Sequence, residues 1–263
     1  MRILLTNDDG FDAPGLQSLI QGLAPLGALL VVAPESERSA TAHGICVHRP
    51  CRLMRRQLPV AGSEAFSLDA NPADCVKWAF SSHCVGDLPD LVVSGINRGQ
   101  NAGHNVIYSG TVAAALEAAM HGVPSMAISL AARREEEADF EVAAAFARHL
   151  APQILEAKIP PGVMLNVNVP NLPRERIRGV AWTRQGHARF TDRFEALPRD
   201  NPPDKAANGT QILRNIGDAM VISDDPECDD RALAEGHITV SPLTYLMTHE
   251  GLWRDPPTLD LSL

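Results

Sequence analysis

The chain has 263 residues, 45% of them hydrophobic, which is ample for a packed core and too apolar for a disordered protein. Its 23 Lys and Arg against 32 Asp and Glu leave a net charge of −9, which repels polyanions and lacks the basic footprint of a nucleic-acid binder. No apolar run approaches a membrane span, and Cys46, Cys51, Cys75, Cys84 and Cys228 are scattered with no C-x-x-C, so no signal peptide, membrane helix or disulfide framework is expected and a reducing cytoplasm fits best.

RILLT at 2–6 reads as a buried strand. Leu16, Leu19, Ile20 and Leu23 then fall at i, i+3, i+4 and i+7, the stripe of an amphipathic helix whose first turn suits Pro14. ALLVVA at 28–33 is the next strand, so the first 33 residues form a strand–helix–strand crossover, which implies parallel strands. Asn71-Pro72 opens a helix through Phe80, DLVVSGI at 90–96 is a strand, a helix runs from about 110 to 121 before Gly122 and Pro124, and SMAISL at 125–130 is a strand. RREEE at 133–137 reads as a solvated helix start or loop.

From Gly162 the texture changes to strand-like pieces without clear helices between them: VMLNVNV, RGVAWTR, AMVIS and HITVS. The polar, proline-bearing stretch at 190–209 reads as an exposed loop or an assembly arm. The fold expected is α/β: a Rossmann-like, three-layer, doubly wound, mostly parallel sheet over 1–160. A β-rich part over 161–263 completes the core and supplies an oligomerisation arm.

In an open parallel sheet, ligands bind beyond the carboxyl ends of the strands. After the first strand comes Asn7-Asp8-Asp9-Gly10; after the second comes APESERSATAHG with Ser39; after the strand at 90–96 comes a stretch with Asn97 and Asn101. NDDG alone is an ordinary turn sequence, but three oxygen-bearing loops on one edge form a hard donor set suited to Mg²⁺ or Mn²⁺. Further on, Ser109 stands at an N-cap, with Gly110 and Thr111 in the first turn of a helix: an ordinary cap by itself, and also a ready anion site for phosphate.

HGICVHRPC brings His43, Cys46, His48 and Cys51 close in sequence, but in an extended chain Cys46 and His48 face away from His43 and Cys51, which disfavours zinc. His43, following Ser39, is a candidate to line the site. Asn166 and Asn168 share one face of their strand and have no partners visible in sequence, so they read as structural.

MRILLTNDDGFDAPGL, APESERSATAHGI, NPADCVKWA, DLVVSGINRGQNAGHNVIYSGTVAAALEA and LNVNVP together closely resemble the SurE family, the stationary-phase survival nucleotidases. The resemblance runs in order from Met1 to about Arg184 and more loosely to Thr248. It implies a metal-dependent phosphatase acting on nucleoside 5′- and 3′-monophosphates, with some activity on short polyphosphate. By motif, Asp8, Asp9, Ser39 and Asn97 would hold one divalent cation per subunit; Ser109, Gly110 and Thr111, with Asn101 nearby, would meet the phosphate. The β-rich tail and the long polar arm at 190–210 point to assembly as a homodimer or homotetramer.

The chain departs from the family pattern at Ala40, where glycine is usual, at Ala70-Asn71-Pro72 in place of Gly-Thr-Pro, and at RDNPPDKAANG in place of an aromatic Asp-Pro-Arg-Gly segment. The catalytic candidates are Asp8, Asp9 and Asn97, with Asp8 or Asp9 orienting an in-line water. The adjacent acids do not make the D-x-D of a haloacid-dehalogenase phosphatase, and no G-x-G-x-x-G follows the first strand as a dinucleotide enzyme requires. Outside enzymes, the rival is a metal-dependent nucleotide sensor with the same ligands and no turnover.

Overall fold

Ile3, Leu4 and Leu5 are completely buried because strand β1 (Arg2–Thr6) has helices on both sides, so successive side chains enter different layers. Ile3 and Leu5 join the cluster containing Leu16 and Leu19, whereas Leu4 joins one containing Val76 and Ala118. The computed structural model describes residues 1–132, 134, 138–196, 211–216 and 220–255.

Helix α1 (Pro14–Leu23) has proline in its first turn and buries the expected Leu16, Leu19, Ile20 and Leu23. Each side chain so buried contributes about 1.5–3 kcal/mol. Strand β2 (Ala28–Pro34) pairs parallel with β1, and a short antiparallel pair, β3 (Leu53–Arg56) and β4 (Glu64–Leu68), extends that edge. Helix α2 (Pro72–Trp78) ends two residues before the expected Phe80, and the chain continues in a wider π-type turn over Ala79–His83.

Strand β5 (Leu91–Arg98) then pairs with the other side of β1, followed by a single turn, α3 (Asn105–Tyr108), helix α4 (Gly110–Met120) and strand β6 (Ser125–Ala131). Helix α5 (Glu141–Glu156) falls where no helix is expected. Pro152 in its interior and the absence of a side-chain cap hide it, and its buried face is made of small residues, Ala143, Ala144, Ala147 and Ala151.

The C-terminal part adds β7 (Val163–Pro170), β8 (Val180–Trp182), the short strands β9 (Arg189–Phe190), β10 (Phe194–Ala196), β11 (Leu213–Asn215) and β12 (Met220–Val221), helix α6 (Asp229–Ala234), strand β13 (Ile238–Thr244) and helix α7 (Glu250–Arg254). α6 corrects the expectation of strands alone: with Asp229 and Asp230 in its first turn it starts as helices commonly do.

The main sheet has the order β3-β4-β2-β1-β5-β6-β7-β13-β8 and is parallel from β4 through β7. β13 runs antiparallel to β7, and two small ribbons, β10–β11 and β9–β12, stand apart from this sheet. α1 and α5 cover one face; α2 and α4 cover the other. The expected three-layer α/β sheet is therefore present, with strands β7, β13 and β8 of the C-terminal part built into it.

The chain goes from β1 outward to β2 and β4, then crosses to β5, β6 and β7. The reversal between β1 and β5 opens a crevice at their carboxyl ends. Most of the 133–137 stretch and the centre of the expected arm, 197–210, lie outside the described residues. The His43–Cys51 stretch is a series of turns and bends, not a strand, so the alternation expected there does not apply; its cysteines are free thiols. Among the described residues, no helix is long and apolar enough to cross a membrane.

Candidate active site

The end of β1 delivers Asp8 into the interior, only 4% exposed, and Asp9 to the half-buried rim. The turn is fixed by Asn7, whose Nδ2 donates to Gly10 O at 2.8 Å. Asp8 faces the start of α4: the Thr111 N–H donates to Asp8 Oδ2 at 3.2 Å and the Thr111 hydroxyl donates to Asp8 Oδ1. This approach favours Gly110, because a Cβ there would lie 3.0 Å from both Asp8 Cβ and Pro72 Cγ, tighter than ordinary van der Waals contact.

Burial pushes the Asp8 carboxyl above the usual range, against the opposing effect of the Thr111 bonds. Asp9 is raised to about 6, first by burial and then by the charge of Asp8, although the Arg98 N–H donates to its Oδ2 at 3.0 Å. Two adjacent acids are thus held where neither ionises easily. A nearby positive charge would reverse that cost.

The remaining candidate oxygens arrive on two loops. The Arg38 N–H donates to Asp8 O at 2.7 Å, which seats the loop after β2 against the turn, and Ser39 follows at once, its exposed hydroxyl donating to Glu37 at 2.6 Å. Ala40, one of the departures from the family pattern, has φ +56°, a conformation that explains why glycine is usual there. Asn97 lies just beyond a β-bulge between β5 and β6 and donates through Nδ2 to Gly99 O at 2.5 Å, so its carbonyl oxygen is the end that can meet a cation.

The oxygens that can hold a metal are thus two carboxylates, a hydroxyl and an amide carbonyl; Asn7 Oδ1 is buried without a partner beside them. This donor set fits a hard divalent cation. Among the described residues no group of three or more His, Cys, Asp or Glu is placed to hold a metal ion, so a cation here would rely on the hydroxyl and amide oxygens beside the two carboxylates.

At the start of α4, the Ser109 hydroxyl accepts from the Val112 N–H at 3.1 Å, the expected N-cap. Thr111 is engaged by Asp8 and the Ala113 N–H by Ser109 O, which leaves the Gly110 N–H as the open donor of the first turn. Asn101 is buried deeper: its N–H donates to Asn168 Oδ1, its carbonyl accepts from both Asn166 and Asn168, and its Nδ2 donates to Ser129. The two asparagines without visible partners are therefore the supports of the Asn101 loop. Their partner is 65 and 67 residues away in sequence, which no local pattern reveals.

Sequence reasoning missed two further supports. Asp229, completely buried on α6, accepts from the N–H groups of Gly103 and Gly186, and Gln185 donates to Gly103 O. Gly103 has φ +60° and a Cβ there would lie 2.5 Å from Ala188 N, so only glycine lets the Asn101 loop dock on this C-terminal segment. On α4, Glu117 is 3% exposed and bonds His43 Nε2 at 2.9 Å, Lys77 Nζ at 3.1 Å and His121 Nε2 at 3.3 Å. An acid within the buried alanine face of GTVAAALEAAM is the signal that could have pointed to it.

Residues 3–192 match the family model described as Survival protein SurE. The chain is 44% identical over 252 residues to the 5′-nucleotidase SurE of Syntrophobacter fumaroxidans, covering 95% of each. It is 42% identical over 251 residues to the 5′-nucleotidase SurE of Carboxydothermus hydrogenoformans, covering 95% of this chain and 92% of that protein. The crystal structure of the SurE protein from Aquifex aeolicus superposes with a TM-score of 0.80 at 31% identity, covering 97% of both chains. On the whole-length match in sequence and in fold, this chain belongs to the SurE family.

Proposed function

We propose that the protein is a metal-dependent 5′-nucleotidase that hydrolyses nucleoside monophosphates, 3′-esters and short polyphosphate included, and releases inorganic phosphate. The observation that carries this reading is the Asp8–Asp9 pair at the sheet's switch point: among the described residues no cationic side chain is hydrogen-bonded to either carboxylate, and Asp8 is gripped by the helix start that can receive an anion. The names of the relatives point the same way.

Asp8, Asp9, Ser39 and Asn97 hold one Mg²⁺ or Mn²⁺ per subunit. When bound, the cation neutralises phosphoryl charge and acidifies water in its shell. The Gly110 N–H and the dipole of α4 meet the phosphate oxygens, with Ser109, Thr111 and Asn101 around them. Thr111 also fixes both oxygens of Asp8. Asp9 commits only Oδ2, to Arg98, so its other oxygen orients the attacking water.

Exposed Trp182, Phe194, Met247 and Trp253 in the C-terminal part support assembly as a homodimer or homotetramer, and five free thiols suit the cytoplasm. The test is phosphate release from nucleoside 5′- and 3′-monophosphates and tripolyphosphate, with and without a chelator. Release that stops on chelation and returns with Mg²⁺ or Mn²⁺ is expected. Undiminished release after exhaustive metal removal would overturn the metal mechanism, and nucleotide binding without release would mark a sensor.

A further inference from the structure

Two cavities flank the candidate site and share no lining residue. One, of about 400 Å³, is lined by Asp9, Gly10, Phe11 and Arg98 among others. The second, of about 930 Å³, is lined by Ser109 and His43 together with apolar groups such as Ile107, Trp182, Leu246 and Met247. In-line displacement places the attacking water and the leaving oxygen on opposite sides of phosphorus. With water on the Asp9 side, the leaving group points into the Ser109 cavity, whose aromatic and aliphatic lining suits a nucleoside.

His43 is brought to that cavity by the backbone. The Ala42 N–H donates to Tyr108 O at 3.0 Å, which sets residue 43 beside the start of α4. The ring spends Nε2 on Glu117 and has no second partner among the described residues, so Nδ1 is the nitrogen open to a ligand. Burial pushes Glu117 up, but its bonds to His43 and Lys77 outweigh that and take it to about 2, so it is a carboxylate throughout the physiological range. A buried carboxylate holds Nε2 as the donor nitrogen and leaves Nδ1 to take and give the second ring proton. Of the other titratable groups lining the cavity, Arg184 and Glu227 are paired with each other and Arg184 also with Asp225. Lys77 and His121 stand on the far side of Glu117 as its remaining partners.

We propose that His43, oriented through Nε2 by Glu117, is the proton donor to the departing nucleoside oxygen in the cavity it shares with Ser109. The inference rests on the nucleotidase reading. The bond from phosphorus to the nucleoside oxygen breaks as the bond to the water oxygen forms, and the Nδ1 proton passes to the leaving alkoxide. The proton lost by the attacking water goes to solvent, from which the imidazole recovers its charge. His43 is then a catalytic residue and Glu117 a positioning residue.

The test compares adenosine 5′-monophosphate, whose alkoxide needs a proton, with p-nitrophenyl phosphate, whose phenolate leaves without one. His43→Gln should lower kcat/KM for the nucleotide by about 10²- to 10³-fold and change the aryl ester only a few-fold. Glu117→Gln, which removes the carboxylate that orients the ring, should lower kcat/KM for the nucleotide more than for the aryl ester, though by less than His43→Gln does. Equal losses on both esters in His43→Gln, or a folded Glu117→Gln protein that handles both esters as wild type does, would overturn the proposal while leaving the nucleotidase reading standing. A wild-type protein that releases phosphate from neither ester would overturn both.

Discussion

One helix carries two buried carboxylate stations with opposite electrostatics. At its start, Thr111 grips Asp8, and burial raises both Asp8 and Asp9, with Asp9 near 6. Two turns along, Glu117 is equally buried but has His43, Lys77 and His121 around it and is depressed to about 2. The fold supplies Glu117 with the Lys77 ammonium and two imidazoles, whereas the described hydrogen bonds to the Asp8 and Asp9 side chains come from backbone N–H groups and a hydroxyl, and the nearby Arg98 charge does not offset their burial. Of two buried acids, the one left uncompensated is the one that waits for something from outside.

Removing the uncompensated acid should therefore cost function far more than stability, whereas removing the compensated one should cost stability together with the orientation of His43. Asp8→Asn is expected to lower kcat/KM by on the order of 10²- to 10³-fold in steady-state phosphate release, with the circular dichroism spectrum unchanged. Thr111→Val removes the hydroxyl that holds Asp8 and nearly keeps its shape. It should cost roughly 10- to 100-fold in kcat/KM and weaken the response to Mn²⁺. Wild-type metal response in Thr111→Val would separate the hydroxyl from the metal site.

The same contrast has a pH signature without metal. Asp9 ionises near the ordinary 3.8 in the unfolded chain and near 6 in the folded one, so the folded state keeps a proton the unfolded state has lost. Stability from this group falls as pH rises across that window, and the penalty is complete above it. Glu117 runs the other way: its contribution is present above the ordinary glutamate value of 4.5 and lost as pH falls toward 2. Asp9→Asn should thus gain on the order of 1–3 kcal/mol in urea unfolding at pH 7 without metal, and the gain should vanish at pH 3. An Asp9→Asn protein with wild-type stability at both pH values would contradict the burial argument.

Smaller effects sharpen the picture. Glu117→Ala should lose about 1–2 kcal/mol, since its partners are themselves partly exposed and can recover water. Ala40→Gly should gain roughly 0.5–1 kcal/mol in the melting curve, because it relieves a left-handed alanine next to Ser39.

The central sheet was legible because its signals are local. Apolar runs marked β1, β2, β5 and β6, the Leu16–Leu23 stripe marked α1, and Ser109 marked the start of α4. α5 escaped because Pro152 breaks the pattern and its buried face is alanine. In the site, acids and hydroxyls at strand ends could be read from position alone, whereas their supports could not. Asn166 and Asn168 hold Asn101 across the sheet, and Asp229 holds Gly103 from 126 residues away. Such partners exist only once β6, β7 and β13 are side by side.

The most direct test of the claim that the Asp8–Asp9 pair is a cation site is a metal titration followed by thermal unfolding, with no substrate present. At pH 7, Mn²⁺ at about one hundred times its Kd should stabilise the wild-type protein by about 2.7 kcal/mol, and Asp8→Asn should not respond. A wild-type protein whose unfolding and titration heat are both indifferent to Mg²⁺ and Mn²⁺, or an Asp8→Asn variant that responds as fully as wild type, would contradict it.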